Sequence, residues 1–385
     1  MDYKTHFPLD RFQKLETPFY YYDLELLTRT LDAAAQKANS YGYRIHYALK
    51  ANANGRILKL MVDRNFGADC VSGYEIKRAL ESGFPSEGIV FAGVGKADWE
   101  IQLGLEADIA SFNCESVQEL RVINQIAREM GKKAPISLRI NPHIDARTHH
   151  YITTGIEENK FGINPWEWEA VVETLGETEN LEFKGLHFHI GSQITDKEVF
   201  KGLCARINEI VQWFTHRQLT PVIINAGGGL GIDYADPDGP IPDFEAYFDI
   251  FRRHLDLRGG QELHFEPGRA LVAQCGTLIS KVLYIKDGVN TQFAILDAGM
   301  TELIRPALYQ AYHSIQNLTS SLPPRKYDIV GPICESSDCF GKAVELPGTQ
   351  RGDLIAIRTA GAYGETMSSG YNLREKVNTW YSDEI

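Results

Sequence analysis

From residue 24 to residue 266 the hydrophobic pattern switches repeatedly between two periods. Stretches with the 3.6-residue repeat of an amphipathic helix alternate with short apolar runs of strand type. The first helix is clear, with Leu24, Leu27, Leu31 and Ala35 on one face. Strands are expected near residues 45–50, 68–72, 88–94, 108–113, 135–141, 183–190, 221–226 and 262–266, with helices between them. Eight such repeats suit a (β/α)8 TIM-type barrel, although an open doubly wound sheet uses the same alternation. The strand ends favour the barrel. They carry Lys50, Asp69, Asn113, Arg139 with Asn141, His189, Asn225 with Gly227, and Glu266. In a barrel all carboxyl ends open on one face, where active sites are built. The expected fold is therefore α/β, a barrel over 24–268 with a second, mostly β domain over 269–385. Residues 1–23 form an arm whose strand, around Tyr20 to Tyr22, lies outside the barrel series and is expected to join the β domain.

Composition narrows the partners. The 385 residues are 43% hydrophobic and 23% charged, ordinary for a globular chain of two domains. A net charge of −12 and the lack of a basic tract argue against nucleic acid and anionic membrane as partners. No apolar run reaches membrane-spanning length, and Met1-Asp2-Tyr3-Lys4 does not open a signal peptide. Six cysteines in a chain this long do not make a disulfide framework, so a cytoplasmic location is expected. Cys334 and Cys339 lack the neighbouring His or Cys of a zinc site, and no metal is expected.

Several short stretches carry chemistry. Lys50 follows the apolar run Ile45-His46-Tyr47-Ala48-Leu49. A lysine there reaches into water, or is held at a site where partial desolvation favours the neutral amine that forms a Schiff base. Gly227-Gly228-Gly229 bares its backbone, for a tight turn or for a phosphate late in the barrel. Glu266-Pro267-Gly268-Arg269 could pair a carboxylate with a cationic ring nitrogen and clamp an anion with its arginine, or form a surface ion pair. His187 and His189 alternate with Leu186 and Phe188 and are expected on one face. His189 is the better candidate for stacking on a ring, and His187 for a hydrogen-bonded core histidine. A lysine for a Schiff base, a phosphate cradle, a carboxylate and a stacking imidazole are together what pyridoxal phosphate requires.

Tyr47-Ala48-Leu49-Lys50-Ala51-Asn52, His187-Phe188-His189-Ile190-Gly191-Ser192-Gln193, Gly227-Gly228-Gly229 and Glu266-Pro267-Gly268-Arg269 resemble the fold-type III pyridoxal-phosphate decarboxylases. Arg305-Pro306-Ala307-Leu308-Tyr309, Gly331-Pro332-Ile333-Cys334-Glu335-Ser336 and Gly361-Ala362-Tyr363 are similar to the diaminopimelate decarboxylase family within them. Thr154-Gly155 and Lys160-Phe161-Gly162 match that family's long loop. Two features depart from it. Tyr74 stands where a second glycine is common, and the chain is somewhat short.

The resemblance implies roles. Lys50 would carry pyridoxal 5'-phosphate, His189 would stack on its ring and Glu266 would hold the ring nitrogen protonated. Ser192, Gly228, Gly229, Gly268, Arg269 and Tyr363 would surround the phosphate. Asp69 and Arg139 would support this set. Arg269, Arg305 and Tyr309 would take the distal carboxylate of a small amino-acid substrate, with Tyr363 at the same site and Glu335 on the distal ammonium. Cys334, from the second subunit of a homodimer with shared sites, would protonate Cα. The implied reaction is decarboxylation of meso-2,6-diaminopimelate to L-lysine and carbon dioxide, the last step of lysine biosynthesis. Alternatives are a decarboxylase of ornithine, arginine or carboxynorspermidine, an amino-acid racemase, and a non-catalytic pyridoxal-phosphate-binding protein. Arg305 with Glu335 argues against the first, since an arginine repels a basic distal tail.

Overall fold

The run that carries Lys50 is strand Arg44–Ala48, the first of eight parallel strands closed into a barrel. The computed structural model describes residues 7–144 and 160–385. Thr154 and Gly155 of the family-like loop, and the first six residues of the amino-terminal arm, lie outside the described residues. The other barrel strands are Gly67–Cys70, Ile89–Phe91, Ser111–Cys114, Ala134–Arg139, Leu181–His187, Ile223–Asn225 and Glu262–Phe265. The last closes on the first through Arg44↔His264 and Ile45↔Phe265. A strand covered on both faces needs no polar alternation, and Ser111–Cys114 is buried at every position.

The outer helices follow from their apolar stripes. Helix Val117–Glu129 buries Leu120, Ile123, Ile126 and Ala127, one face at helical spacing. Each large side chain there stabilises the barrel by roughly 1.5–3 kcal/mol relative to exposure. The helix starts where the Ser116 side chain accepts the Glu119 N–H, and stops at Met130, before Gly131 at φ +66°. An apolar-to-charged change at Ile123 would break its packing. Helix Gly73–Ser82 is built alike, capped by Ser72 and ended by left-handed Gly83.

The chain divides into two compact units. One comprises Leu31–Gly231 and Asp243–Arg269, and contains the barrel. The other comprises Met1–Thr30, Ile232–Pro242 and Ala270–Ile385. The expected barrel span of 24–268 is thus interrupted by Ile232–Pro242. The reason is polar anchoring. Gln274 donates to the Pro237 and Gly239 carbonyls, and Arg358 pairs with Asp238 at 2.7 Å.

The second unit is an eight-stranded sheet built around Gly276–Asp287. The amino-terminal strand Phe19–Tyr22 pairs with it antiparallel, Phe19 opposite Ile279, as expected from its place outside the barrel series. Its core joins Phe7, Phe12, Phe19 and Tyr21 to Ile279, Leu318, Leu354 and Ala356. A short helix, Arg269–Val272, precedes strand Gly276–Asp287. Strands Ile315–Asn317, Cys339–Pro347 and Asn378–Tyr381 carry too little pattern to be expected. The last pairs parallel with Phe19–Tyr22, a neighbour more than 350 residues away. All six cysteines are free thiols.

Candidate active site

Lys50 is not the last residue of its strand. The strand ends at Ala48, and Lys50 sits in the 3-10 turn Leu49–Ala51 at the carboxyl end of the barrel. The Tyr47 hydroxyl donates to the Asn52 carbonyl at 2.9 Å and holds this turn. From it Lys50 Nζ reaches Asp69 Oδ2 at 3.3 Å. Asp69 is buried, and its second oxygen, Oδ1, has no hydrogen-bond partner among the described residues. Burial and then the charge of Glu266 push the Asp69 carboxyl up, against the pull of Lys50.

Glu266 follows the last strand and is surrounded by donors. Its Oε1 accepts from Asn225 at 2.6 Å and from Asn113 at 3.5 Å, and Oε2 lies 2.8 Å from His187 Nε2. Burial alone would raise its pKa. Attraction by His187, with its hydrogen bond, and then by Lys50 outweighs burial, and Glu266 stays well below the usual carboxylate range. His187 is thus the core histidine, hydrogen-bonded as that reading required. The two histidines do not share one continued strand. Leu181–His187 ends at His187, and half-buried His189 lies beyond it, accepting the Gly191 N–H on Nδ1 at 3.1 Å. Burial, then Arg139 and Lys50, lower the His189 pKa well below its ordinary value. A neutral imidazole can lie flat against an electron-poor ring without repelling it.

Arg139 ends strand Ala134–Arg139 and pairs with Glu115 at 3.0 Å, both side chains nearly hidden. Glu115 also accepts the Gly93 and Gly162 N–H groups at 3.1 and 3.0 Å. One carboxylate therefore ties Arg139 to two loops of the rim. Glu115 went unread in the sequence because it lies one residue past its strand, beside the unremarkable Cys114. Asn113 and Asn225 were visible as strand-end groups, but their shared partner Glu266 is distant in sequence.

The glycine stretch makes the tight turn, one of the two readings open to it. Gly227 and Gly229 have φ of +71° and +107°, as a turn requires. A Cβ on Gly228 would come within 2.3 Å of the Glu266 carbonyl, so the bare backbone seats against the last strand. Arg269 is buried beside this seat and donates to Ser192 Oγ from Nε and Nη2 at 3.2 and 3.1 Å. Gly268 packs on Ala51, next to Lys50.

The β unit holds the remaining predicted residues. Arg305 opens helix Arg305–Tyr309, with Tyr309 half-buried at its other end. Arg305 Nη1 lies 2.9 Å from His313 Nε2, and its guanidinium is 4.8 Å from the Tyr234 ring centre. Cys334 is exposed, and its N–H donates to Asn372 Oδ1 at 3.3 Å. Glu335 accepts the Tyr371 hydroxyl at 3.0 Å. Tyr363 is half-buried with φ +57°.

The barrel residues fit pyridoxal phosphate. An amine, an ionised carboxylate, a neutral imidazole, and an arginine with a serine beside bare glycine backbone stand at the same barrel end, and Asp69 keeps an unmet acceptor beside Lys50. Fold and site define a pyridoxal-phosphate-dependent barrel enzyme.

Comparison with known proteins agrees. Residues 25–273 match the family described as pyridoxal-dependent decarboxylase, pyridoxal binding domain. The chain is 56% identical over 384 residues to a diaminopimelate decarboxylase of Bacteroides thetaiotaomicron, covering 99% of this chain and 100% of that protein. It is 41% identical to that of Zymomonas mobilis, covering 94% of this chain and 86% of the relative. The crystal structure of diaminopimelate decarboxylase from Helicobacter pylori complexed with L-lysine superposes with a TM-score of 0.91 at 40% identity, covering 97% of this chain and 94% of that one. The chain belongs to the pyridoxal-dependent decarboxylases and, within them, to the diaminopimelate decarboxylase family.

Proposed function

We infer that this protein is a pyridoxal-phosphate-dependent carboxy-lyase that converts meso-2,6-diaminopimelate to L-lysine and carbon dioxide in lysine biosynthesis. The observation that carries the reading is the meeting of Lys50, Asp69, His189 and Glu266 at one barrel end, in a chain aligned end to end with a diaminopimelate decarboxylase. When bound, pyridoxal phosphate supplies a conjugated ring that accepts the electrons left by the departing carboxylate. Lys50 would hold it through its amine, with Asp69 placing that amine and Arg139 supporting His189 against the ring face. Glu266, kept ionised by His187, Asn113 and Asn225, would hold a proton on the ring nitrogen. Ser192, Gly228, Gly229, Gly268, Arg269 and Tyr363 would bind its phosphate.

Arg269, Arg305, Tyr309 and Tyr363 would orient the substrate's distal carboxylate, and Glu335 its distal ammonium. The Cys334 thiol would deliver a proton to Cα once carbon dioxide has left. We place the enzyme in the cytoplasm as a homodimer in which Cys334 and Glu335 of each chain complete the partner's site. The exposure of Cys334, with nearby Tyr371 and Leu373 also exposed, supports a covered face there. Carbon dioxide release should be measured in parallel on diaminopimelate, ornithine and arginine. Release from diaminopimelate alone is expected, and preference for either other substrate would overturn the assignment.

A further inference from the structure

Among the described residues outside the barrel site, one buried polar cluster surrounds Arg305. Helix Arg305–Tyr309 ends at Gln310, whose left-handed backbone (φ +54°) turns the chain back beneath its own first residue. That turn brings His313 to Arg305. An arginine guanidinium only donates, so the 2.9 Å contact from Arg305 Nη1 makes His313 Nε2 the acceptor. The ring proton then resides on Nδ1, where it is donated to the Arg358 carbonyl at 2.9 Å. That carbonyl belongs to an anchored residue. Arg358 pairs with Asp238 at 2.7 Å and donates to Gln316 at 2.9 Å. The ring of Tyr234 lies 4.8 Å from the Arg305 guanidinium and meets the His313 ring edge-on, centres 5.2 Å apart. His313 is buried, so its imidazole is held from both nitrogens in one tautomer.

We propose that His313 is a positioning residue that, with Tyr234, sets the direction of the Arg305 guanidinium and thereby the enzyme's preference for a substrate with a distal carboxylate. A guanidinium recognises a carboxylate through a planar fork, so its orientation decides whether two bonds form or one. A simple filler at position 313 would need no acceptor facing Arg305. This inference rests on the reading of Arg305 as a substrate-binding residue, and the test separates the two.

The holoenzyme is compared as wild type, Arg305→Ala, His313→Ala, His313→Gln and Tyr234→Leu. Binding of L-lysine, which keeps the distal head group, is measured against 1,5-diaminopentane, which lacks it. Loss of a charge-assisted contact predicts that Arg305→Ala and His313→Ala weaken L-lysine by about tenfold or more, leaving 1,5-diaminopentane unchanged. KM for diaminopimelate should rise in parallel while kcat moves by less than about threefold. His313→Gln keeps an acceptor toward Arg305 and should recover most of the loss. Tyr234→Leu should shift affinity in the same direction by less. If Arg305→Ala leaves L-lysine binding intact, the substrate role of Arg305 is wrong. If Arg305→Ala weakens it but His313→Ala does not, or weakens both ligands equally, the positioning role is wrong. Should His313→Ala fail to fold, unchanged L-lysine affinity in Tyr234→Leu would overturn the proposal.

Discussion

His187 Nε2 and Glu266 Oε2 lie 2.8 Å apart inside the barrel, with side-chain exposures of 1% and 2%. Together with Asn225 and Asn113 the imidazole surrounds the carboxylate with donors and keeps it ionised. Glu266→Gln removes the buried charge and turns an amide N–H2 toward groups that themselves donate. A loss in kcat of about 10²–10³-fold is expected, on the scale of losing one preorganised electrostatic contact. Carbon dioxide release and the denaturant midpoint should be read on the same sample. An unchanged kcat would remove Glu266 from the chemistry.

Glu115 and Arg139 form a buried pair, and Glu115 also receives two backbone N–H groups. Removing the carboxylate leaves a buried guanidinium uncompensated. Glu115→Ala should lower stability by about 3–5 kcal/mol, measured by urea unfolding. Glu115→Gln retains part of the hydrogen bonding and should cost less. Equal losses in the two variants would mean that the contact acts by shape alone.

His46 Nε2 and His264 Nδ1 are 3.0 Å apart in the first and last barrel strands. Burial, then its neighbour His46, pushes the His264 pKa down to about 3, and burial lowers His46 as well. Burial thus opposes protonation of both imidazoles in the folded chain, against the pull of Glu262 Oε2 3.1 Å from His264 Nε2, whereas the unfolded chain protonates them near pH 6.5. Their stabilising contribution is present above about pH 6.5 and is lost as pH falls from there toward 3. Each proton adds a slope of about 1.4 kcal/mol per pH unit within that window. His264→Gln should flatten the acid limb of stability against pH, followed by urea unfolding between about pH 7 and 4. A slope equal to that of wild type would rule out the pair as an acid-sensitive element.

Lys50 lies in the barrel and Cys334 in the β unit. If the site is shared across a dimer, Lys50→Ala and Cys334→Ala proteins are each nearly inactive alone but complement one another. Random exchange puts about half of the chains in mixed dimers with one good site of two, so activity should return to roughly a quarter of wild type. No recovery after verified exchange would place both residues in one chain's site.

The barrel was legible because local physics wrote it. A parallel strand buried on both faces reads as an apolar run, and an outer helix as a one-sided stripe, so eight alternations led to the closed sheet. Lys50, Glu266 and the glycine stretch were legible too, since strand ends in a barrel share one face. Other features depended on contacts between residues far apart in the chain. Asn378–Tyr381 is a strand because Phe19–Tyr22 lies beside it, and Ile232–Pro242 leaves the barrel unit because Gln274 and Arg358 hold it. Glu115 and His313 carry no motif. Each is defined by the partner that folding delivers, Arg139 in one case and Arg305 in the other. Periodicity records which face of an element is buried, and it determined the fold class and the face on which the chemistry lies. Which polar group meets which is set by geometry across the fold, where a displacement of one ångström separates a hydrogen bond from none, and only the tertiary structure decided that.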